Sequence, residues 1–212
     1  MVMLKTETDL LGIVGAGGFG REVSSYATEL GLRHTFVETG PSPASGSLSP
    51  ELFAAEAARN SFVIAIANAT VRKRIAEEFR LIGLKAGTLV ARSAFVSDQA
   101  SIDNGAIICP FSCITSNAQI GRHFHSNIYS YVAHDCVIGD YVTFAPGVCC
   151  NGNVHIEEGA YIGTGAKIRQ GTLGKPVVIG KGAVVGMGAV VLDSVPDGAT
   201  VVGSPARVIK QA

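Results

Sequence analysis

A six-residue repeat governs more than half of this 212-residue chain. Stepping by six from Val90 meets apolar residues as far as Ile168, with one exception at Ser126, and the series resumes at Ile179 after a break at 169–178. Neither the 3.6-residue period of a helix nor the alternation of an ordinary strand gives this spacing. A short fixed repeat is typical of a solenoid, in which stacked coils bury a shared core. The series comprises Val90, Val96, Ile102, Ile108, Ile114, Ile120, Val132, Ile138, Phe144, Cys150, Ile156, Ile162, Ile168, Ile179, Val185 and Val191.

Three hexapeptides make one coil of eighteen residues with three flat sides. The run from Val90 to Val195 predicts about six coils, stacked to roughly 28 Å at roughly 4.8 Å per strand layer. Small or apolar residues lie four positions after the repeat residues, as at Ala106 and Ala160, and we expect them to be buried. Gly and Asn suit the unusual backbone dihedrals at the corners. We therefore assign residues 89–212 to a β-helix with a short C-terminal tail.

The first 88 residues follow a different pattern. Apolar strands predicted at 10–14, 35–38 and 62–67 alternate with helices at 21–30, 50–59 and 70–81. This order predicts a β-α-β-α-β-α unit with a parallel sheet, a small Rossmann-like domain. Only half of a doubly wound dinucleotide domain fits before the repeats begin, which argues against a hydride-transferring dehydrogenase and favours a mononucleotide unit.

The motif Gly15-x-Gly17-x-x-Gly20 follows the first predicted strand and opens the first helix. Backbone N–H groups at such a helix start favour phosphate oxygens, and Glu38 lies near the distance expected of a ribose-binding acid. The motif therefore predicts a nucleotide site. The alternative is a tight strand-to-helix turn without a ligand.

Charge and composition limit the partners. Lys and Arg balance Asp and Glu at 17 each, so no electrostatic footprint for nucleic acid or an anionic membrane is visible. No segment has eighteen uninterrupted apolar residues, and we expect a cytoplasmic protein without a nucleic-acid or membrane partner. The five cysteines fit reduced, mostly buried thiols, although Cys136, beside a His-Asp pair, is a candidate nucleophile.

His134 and Asp135 are adjacent in the middle of the repeat region. Acyl transfer from a thioester needs a base that takes the acceptor's proton, and imidazole suits this near neutral pH. A neighbouring carboxylate can orient the ring and stabilise the imidazolium. Residue 152, eighteen positions on, is a glycine, so a thioester would have room beside the imidazole. Gly152 is therefore a candidate acetyl-CoA contact.

Four stretches carry a resemblance to a known family. The repeats resemble the left-handed parallel β-helix of the hexapeptide acyltransferases. From about Leu11 to Arg207 the chain is most similar to sugar acetyltransferases with a nucleotide-binding domain in front, namely sialic acid O-acetyltransferases and UDP-amino-sugar N-acetyltransferases. The matching stretches are Gly15-Ala-Gly-Gly-Phe-Gly-Arg-Glu-Val23, Ala65-Ile-Ala-Asn-Ala-Thr-Val-Arg-Lys73, Ala133-His-Asp-Cys-Val-Ile-Gly-Asp-Tyr141 and Val201-Val-Gly-Ser-Pro-Ala-Arg207.

The resemblance implies an acetyl-CoA-dependent N-acetyltransferase, acting on a nucleotide-linked 4-amino-4,6-dideoxy sugar in surface glycan biosynthesis. It implies a homotrimer with shared active sites and no metal. By this likeness His134 is the general base and Asp135 assists it. Residues implied in substrate binding are Gly15, Gly17, Gly18, Phe19, Gly20, Glu38, Asn68, Arg72 and Asn127, and those implied in binding acetyl-CoA are Thr143, Gly152, Thr164, Gly186, Gly188 and Ala189.

Two departures from the family pattern concern the ligands. Phe19 stands where many members have His, and Glu38 stands where a pair of aspartates is common. A second family histidine, nine residues after the base, is replaced here by Thr143. We hypothesise that Thr143, or His125 one coil before it, takes over its contact with the acetyl group.

Three other functions are left open by the sequence. O-acetylation of sialic acid uses the same chemistry, whereas a non-catalytic nucleotide-sugar scaffold would not use the His-Asp pair. A zinc-dependent carbonic anhydrase would need three imidazoles converging on one ion, with His123, His125 and His134 as candidates.

Overall fold

The computed structural model describes residues 9–38, 46–56 and 59–211. Its first part is a parallel sheet in the order β2-β1-β3-β4 with helices on both faces. Leu11 and Ile13 of β1 share an apolar cluster with Val23 of the first helix, whereas Leu10 packs with Phe53 on the other side. Burial on both faces explains the continuous apolar run of β1. These elements are β1 (Leu10–Val14), α1 (Gly18–Glu29), β2 (His34–Val37), α2 (Pro50–Glu56), β3 (Asn60–Ile64), α3 (Ala69–Leu81) and β4 (Lys85–Ala86).

The predicted element order is confirmed, but several boundaries differ. The third strand ends at Ile64, not at residue 67, because its pairing with β1 stops there and the next carbonyls bind a side chain of α3. Helix α1 begins three residues before the predicted start, and α2 ends at Glu56, beyond which residues 57–58 lie outside the described ranges. Strand β4 is an addition to the predicted set, too short to show a period.

Paired strands of two to four residues build the rest of the chain into a triangular β-helix. The first face contains β5, β8, β11, β14, β17, β20 and β22, with β23 antiparallel at its edge; the second contains β6, β9, β12, β15, β18 and β21; the third contains β7, β10, β13, β16 and β19. In chain order the strands are β5 (Leu89–Val90), β6 (Phe95–Val96), β7 (Ser101–Ile102), β8 (Ile107–Ile108), β9 (Cys113–Ile114), β10 (Gln119–Ile120), β11 (His125–Ser126), β12 (Tyr131–Val132), β13 (Val137–Ile138), β14 (Thr143–Phe144), β15 (Cys149–Cys150), β16 (Val154–Ile156), β17 (Tyr161–Ile162), β18 (Lys167–Ile168), β19 (Val177–Ile179), β20 (Val184–Val185), β21 (Val190–Val191), β22 (Thr200–Val202) and β23 (Arg207–Lys210).

The eighteen-residue coil is confirmed by the pairing register. His125 lies opposite Thr143 on the first face, and Tyr131 lies opposite Cys149 on the second. The repeat residues form one core along the stack together with the small residues four positions later, and in the first coil Val96, Ala94 and Ala100 are partly rather than fully buried. Ser126, the exception in the series, still points inward and is fully buried.

Residues in the left-handed backbone region recur at each corner, one coil apart. Asn117, Asp135 and Asn153, with φ of 57°, 59° and 54°, form such a row between the second and third faces. Gly and Asn were expected there, but the other two corners also carry large residues, Phe111 and Tyr129 on one, His123 and Tyr141 on the other. The aromatic pairs stack, with ring centroids 5.1 Å and 5.2 Å apart.

The N-terminal sheet packs on the first face of the β-helix. Nε2 of His125 on β11 donates to the carbonyl of Ile64 at the end of β3 over 2.8 Å. Phe19 of α1 lies 5.2 Å from the same imidazole. In the ranges that the structure describes, every helix is too short or too polar to cross a bilayer.

Candidate active site

His134 and Asp135 lie on the corner between the second and third faces, directly after β12. Nδ1 of His134 is 2.8 Å from Oδ2 of Asp135, and both side chains are close to half exposed. Hydrogen bonds from His134 and then from Asn117 lower the pKa of Asp135 below its ordinary value. An ionised carboxylate only accepts hydrogen bonds, so Nδ1 carries the proton and Nε2 has the lone pair that a base needs.

Gly152 lies one coil above this imidazole. The N–H of Asn153 donates to the carbonyl of His134 over 3.1 Å, which fixes the stacking of the two turns. A Cβ added to Gly152 would lie 2.5 Å from Nε2 of His134, although the backbone there does not have the left-handed φ that favours glycine. The absence of a side chain at residue 152 therefore leaves room for the imidazole of His134 itself, which lies against the Gly152 backbone.

The glycine motif forms the turn between β1 and α1. Gly15 has a φ of +100°, and a Cβ on Gly20 would overlap the Gly15 carbonyl, so these two glycines shape the turn. Gly17 caps α1, Gly18 is its first residue, and both are exposed. Their backbone can approach a ligand, whereas Phe19 packs on His125 in the domain interface.

Glu38 and Asn68 follow β2 and β3 at the same edge of the sheet. Glu38 lines a surface cavity of about 420 Å³ together with Glu51 and Glu78, and the glycine motif is not part of that lining. Asn68 caps α3, with Oδ1 accepting from the N–H of Val71 over 3.0 Å. Both residues are at least partly accessible, as a ligand contact requires.

Arg72 was expected to contact the nucleotide, and the structure contradicts this. Its side chain is fully buried, and the guanidinium donates to the carbonyls of Ile66 and Ala67 on one side and of Tyr141 and Val142 on the other. Burial lowers the pKa of Arg72 to about 10, so it remains charged at neutral pH. Arg72 holds the two parts of the chain together.

The acetyl-group contact expected of Thr143 or His125 also needs correction. Oγ1 of Thr143 accepts from Arg72 over 3.0 Å and donates to the carbonyl of Ala67 over 3.3 Å. Thr143 and His125 are buried on the first face, under the N-terminal sheet, whereas His134 is on the opposite corner. Neither residue is placed beside the imidazole of its own chain.

The remaining expected contacts lie on the corner between the first and second faces. Asn127 follows β11, Thr164 follows β17, and Gly186 and Gly188 follow β20. Thr164 and Gly188 are exposed and joined by a backbone hydrogen bond of 2.8 Å. Ala189 does not fit the expected groove, because its side chain is fully buried in the core. Within one chain, none of these residues shares a corner with His134.

The structure does not support the zinc alternative. His123 and His125 are buried at the domain interface, and His134 is exposed on another corner. Across residues 9–38, 46–56 and 59–211 there is no group of three His, Cys, Asp or Glu side chains arranged to hold a metal. Cys136 is fully buried, with Sγ 3.1 Å from the carbonyl of Asn151, so it points away from a substrate at His134.

Asn117 is a further residue of this site, and no sequence motif indicated it. Nδ2 of Asn117 donates to Oδ1 of Asp135 over 3.1 Å, from one coil below. Its position could have indicated this contact, because Asn117 lies eighteen residues, one coil, before Asp135 and at a corner that favours Asn.

Comparison with known proteins identifies the family. The protein-family model of the PglD N-terminal domain matches residues 10–79 of this chain. GDP-perosamine N-acetyltransferase of Escherichia coli O157:H7 is 47% identical over 216 residues, covering 96% of this chain and 98% of that protein. WeeI from Acinetobacter baumannii AYE has a TM-score of 0.89 and 48% identity, with 94% of this chain and 99% of that chain covered.

A third relative has been solved with a ligand. The acetyltransferase domain of PglB from Neisseria gonorrhoeae FA1090, in complex with acetyl coenzyme A, has a TM-score of 0.84 and 28% identity over 96% of this chain and 100% of its own. This likeness confirms the expected fold, a Rossmann-like domain followed by a left-handed β-helix. The chain therefore belongs to the family of sugar acetyltransferases that includes GDP-perosamine N-acetyltransferase.

Proposed function

We propose that this enzyme transfers the acetyl group of acetyl-CoA to the 4-amino group of a GDP-linked 4-amino-4,6-dideoxy sugar, with His134 as general base. The observation that carries the proposal is the His134–Asp135 pair at 2.8 Å, with the imidazole lying against Gly152, where a side chain would overlap the ring. The 47% identity to GDP-perosamine N-acetyltransferase supports the choice of nucleotide sugar over free sialic acid.

The geometry allows a direct transfer without a covalent enzyme intermediate. The sugar amine attacks the thioester carbonyl, and Nε2 of His134 takes the proton that the nitrogen loses. Asp135 stabilises the imidazolium through Nδ1. When the tetrahedral intermediate collapses, the carbon–sulfur bond breaks and the proton on Nε2 passes to the sulfur, so the products are the N-acetylated sugar and free CoA.

The N-terminal sheet supplies a suitable place for the nucleotide. The exposed N–H groups of Gly17 and Gly18 at the start of α1 suit a diphosphate. Asn68 and Glu38 follow neighbouring strands at the same edge, which is where open parallel sheets bind ligands.

A homotrimer would bring the separate corners together. Asn127, Thr164 and Gly188 lie on one corner and His134 on the next, so a single chain does not unite them. In a closed ring of copies, one corner of each chain meets another corner of its neighbour. Exposed Phe95, on the second face between these corners, gives that face an apolar surface to cover.

The first test is a coenzyme A release assay with acetyl-CoA and a panel of amino sugars. We expect turnover with GDP-perosamine, weaker turnover with UDP- and dTDP-linked 4-amino sugars, and at least a 100-fold loss in His134→Ala. Activity with sialic acid alone would favour O-acetylation, and wild-type turnover in His134→Ala would reject the base. Sedimentation of the purified protein checks the trimer, and a monomer active at nanomolar concentration would contradict it.

A further inference from the structure

A hydrogen-bonded line runs up one corner of the β-helix. Nδ2 of Asn117 donates to Oδ1 of Asp135 over 3.1 Å, and Oδ2 of Asp135 accepts from Nδ1 of His134 over 2.8 Å. The two carboxylate oxygens thus have different partners, the amide on one side and the imidazole on the other. The line joins two successive coils and ends at the proposed base.

The fold fixes the lower end of this line. Asn117 and Asp135 occupy equivalent positions one coil apart, both with left-handed backbone, φ 57° and 59°. The N–H of Asp135 donates to the carbonyl of Ser116 over 3.1 Å, which sets the separation of the two turns. Asn is among the few residues that tolerate this conformation, and its amide also supplies a donor.

A short exposed carboxylate needs this support. The Asp135 side chain is 44% exposed, so without a second partner its terminal torsion would be free to turn and exchange His134 for water. The Asn117 donor holds one oxygen and so orients the other toward Nδ1. Asn117 also contributes to the lowered pKa of Asp135, after His134.

We propose that Asn117 is a positioning residue for acetyl transfer, which orients the Asp135 carboxylate and through it the imidazole of His134. It touches neither the sugar nor the thioester. The inference rests on the proposed role of His134 as base and adds a third member to the pair, one that neither the His-Asp motif nor its sequence neighbours reveal.

Two substitutions separate this role from turn formation. Asn117→Gly keeps the left-handed backbone and removes the donor. Asn117→Asp keeps the shape but replaces the donor with a carboxylate. We expect kcat to fall about tenfold in both, because the base is misoriented, while KM for acetyl-CoA stays within about twofold of wild type.

The pH profile gives a signature that a purely structural residue would not. Loss of the donor in Asn117→Gly weakens the support of the imidazolium, so the acid limb of the kcat/KM profile should move to lower pH. The added negative charge in Asn117→Asp should move it to higher pH. Gln99→Ala is the matched control, on the same corner one coil further down, and should keep wild-type kinetics.

The outcomes are separable from those of the proposed function. Wild-type kcat and pH profile in both Asn117 variants, with His134→Ala inactive, would overturn the positioning role and leave the base in place. Full turnover in His134→Ala would remove the base and the positioning role with it. Thermal unfolding of each variant shows whether it is folded. If Asn117→Gly does not fold, Asn117→Asp alone tests the positioning role.

Discussion

The guanidinium of Arg72 donates a hydrogen bond of 3.0 Å to Oγ1 of Thr143 and so joins helix α3 to strand β14. The same group donates to four backbone carbonyls, two in each part of the chain. It fixes the loop after β3, which carries Asn68, on the β-helix. The edge of the sheet proposed to bind the nucleotide is therefore held rigidly on the scaffold that carries His134.

Replacing Arg72 with Met should lower the free energy of unfolding by about 3 kcal/mol or more. The substitution leaves several buried carbonyls without a donor, and each such group costs about 1–3 kcal/mol. Chemical denaturation measures the change. Arg74→Ala is the control on the same helix, where an exposed ion pair with Glu78 is lost and about 0.5 kcal/mol or less is expected. Equal stability of the two variants would contradict the interface role of Arg72.

Gly152→Ala should reduce turnover about 100-fold or more, because the new methyl group would overlap the imidazole of His134 and push it out of position. The backbone at this position accepts alanine and the half-exposed imidazole can turn aside, so the thermal midpoint should change little. Steady-state kinetics with acetyl-CoA tests this, with Ser116→Ala, one coil below His134, as the control. If Gly152→Ala is as active as that control, acetyl transfer does not depend on the imidazole lying against Gly152.

Stability should fall as the pH is lowered from about 6.5 toward 4. Burial, with the charges of Arg72 and Arg122, lowers the pKa of His123 to about 4 against the opposing effect of Asp140. In the unfolded chain His123 takes up a proton near pH 6.5, so below that pH protons favour unfolding, by up to about 1.4 kcal/mol per pH unit. Burial also lowers the pKa of His125, which adds to the loss.

Unfolding midpoints at pH 7.5, 6 and 5 check this prediction. His123→Asn, which suits the left-handed backbone at φ 55°, should be less stable at pH 7.5 but show a shallower pH dependence. An unchanged slope in this variant would assign the acid sensitivity to other groups.

Cys136→Ala should keep turnover within about twofold of wild type, since the thiol is buried and directed at the carbonyl of Asn151. A small cavity should cost about 1 kcal/mol of stability. A coenzyme A release assay beside a denaturation curve measures both. Loss of activity in a folded Cys136→Ala protein would instead support Cys136 as a catalytic nucleophile, the alternative that the sequence left open.

Local sequence signals account for most of the architecture. The register of His125 with Thr143 and of Tyr131 with Cys149 follows from the eighteen-residue coil. The place of Gly152 beside His134 follows from the same arithmetic. Strand and helix ends were less accurate, because β3 ends where its pairing ends, and pairing depends on a distant strand.

The chain's own pattern determined a stacked β-helix, a parallel sheet in front of it and a His-Asp pair on one corner, because a hexapeptide period and a glycine turn act through near neighbours. Only the tertiary structure decided that Arg72 and Thr143 face each other across an interface and that Asn117 supports Asp135. A motif match identifies residue types, whereas the partner of a side chain depends on which elements pack together. For Arg72, burial against two carbonyls and a hydroxyl 69 to 71 positions away outweighed the likeness to a nucleotide-binding loop.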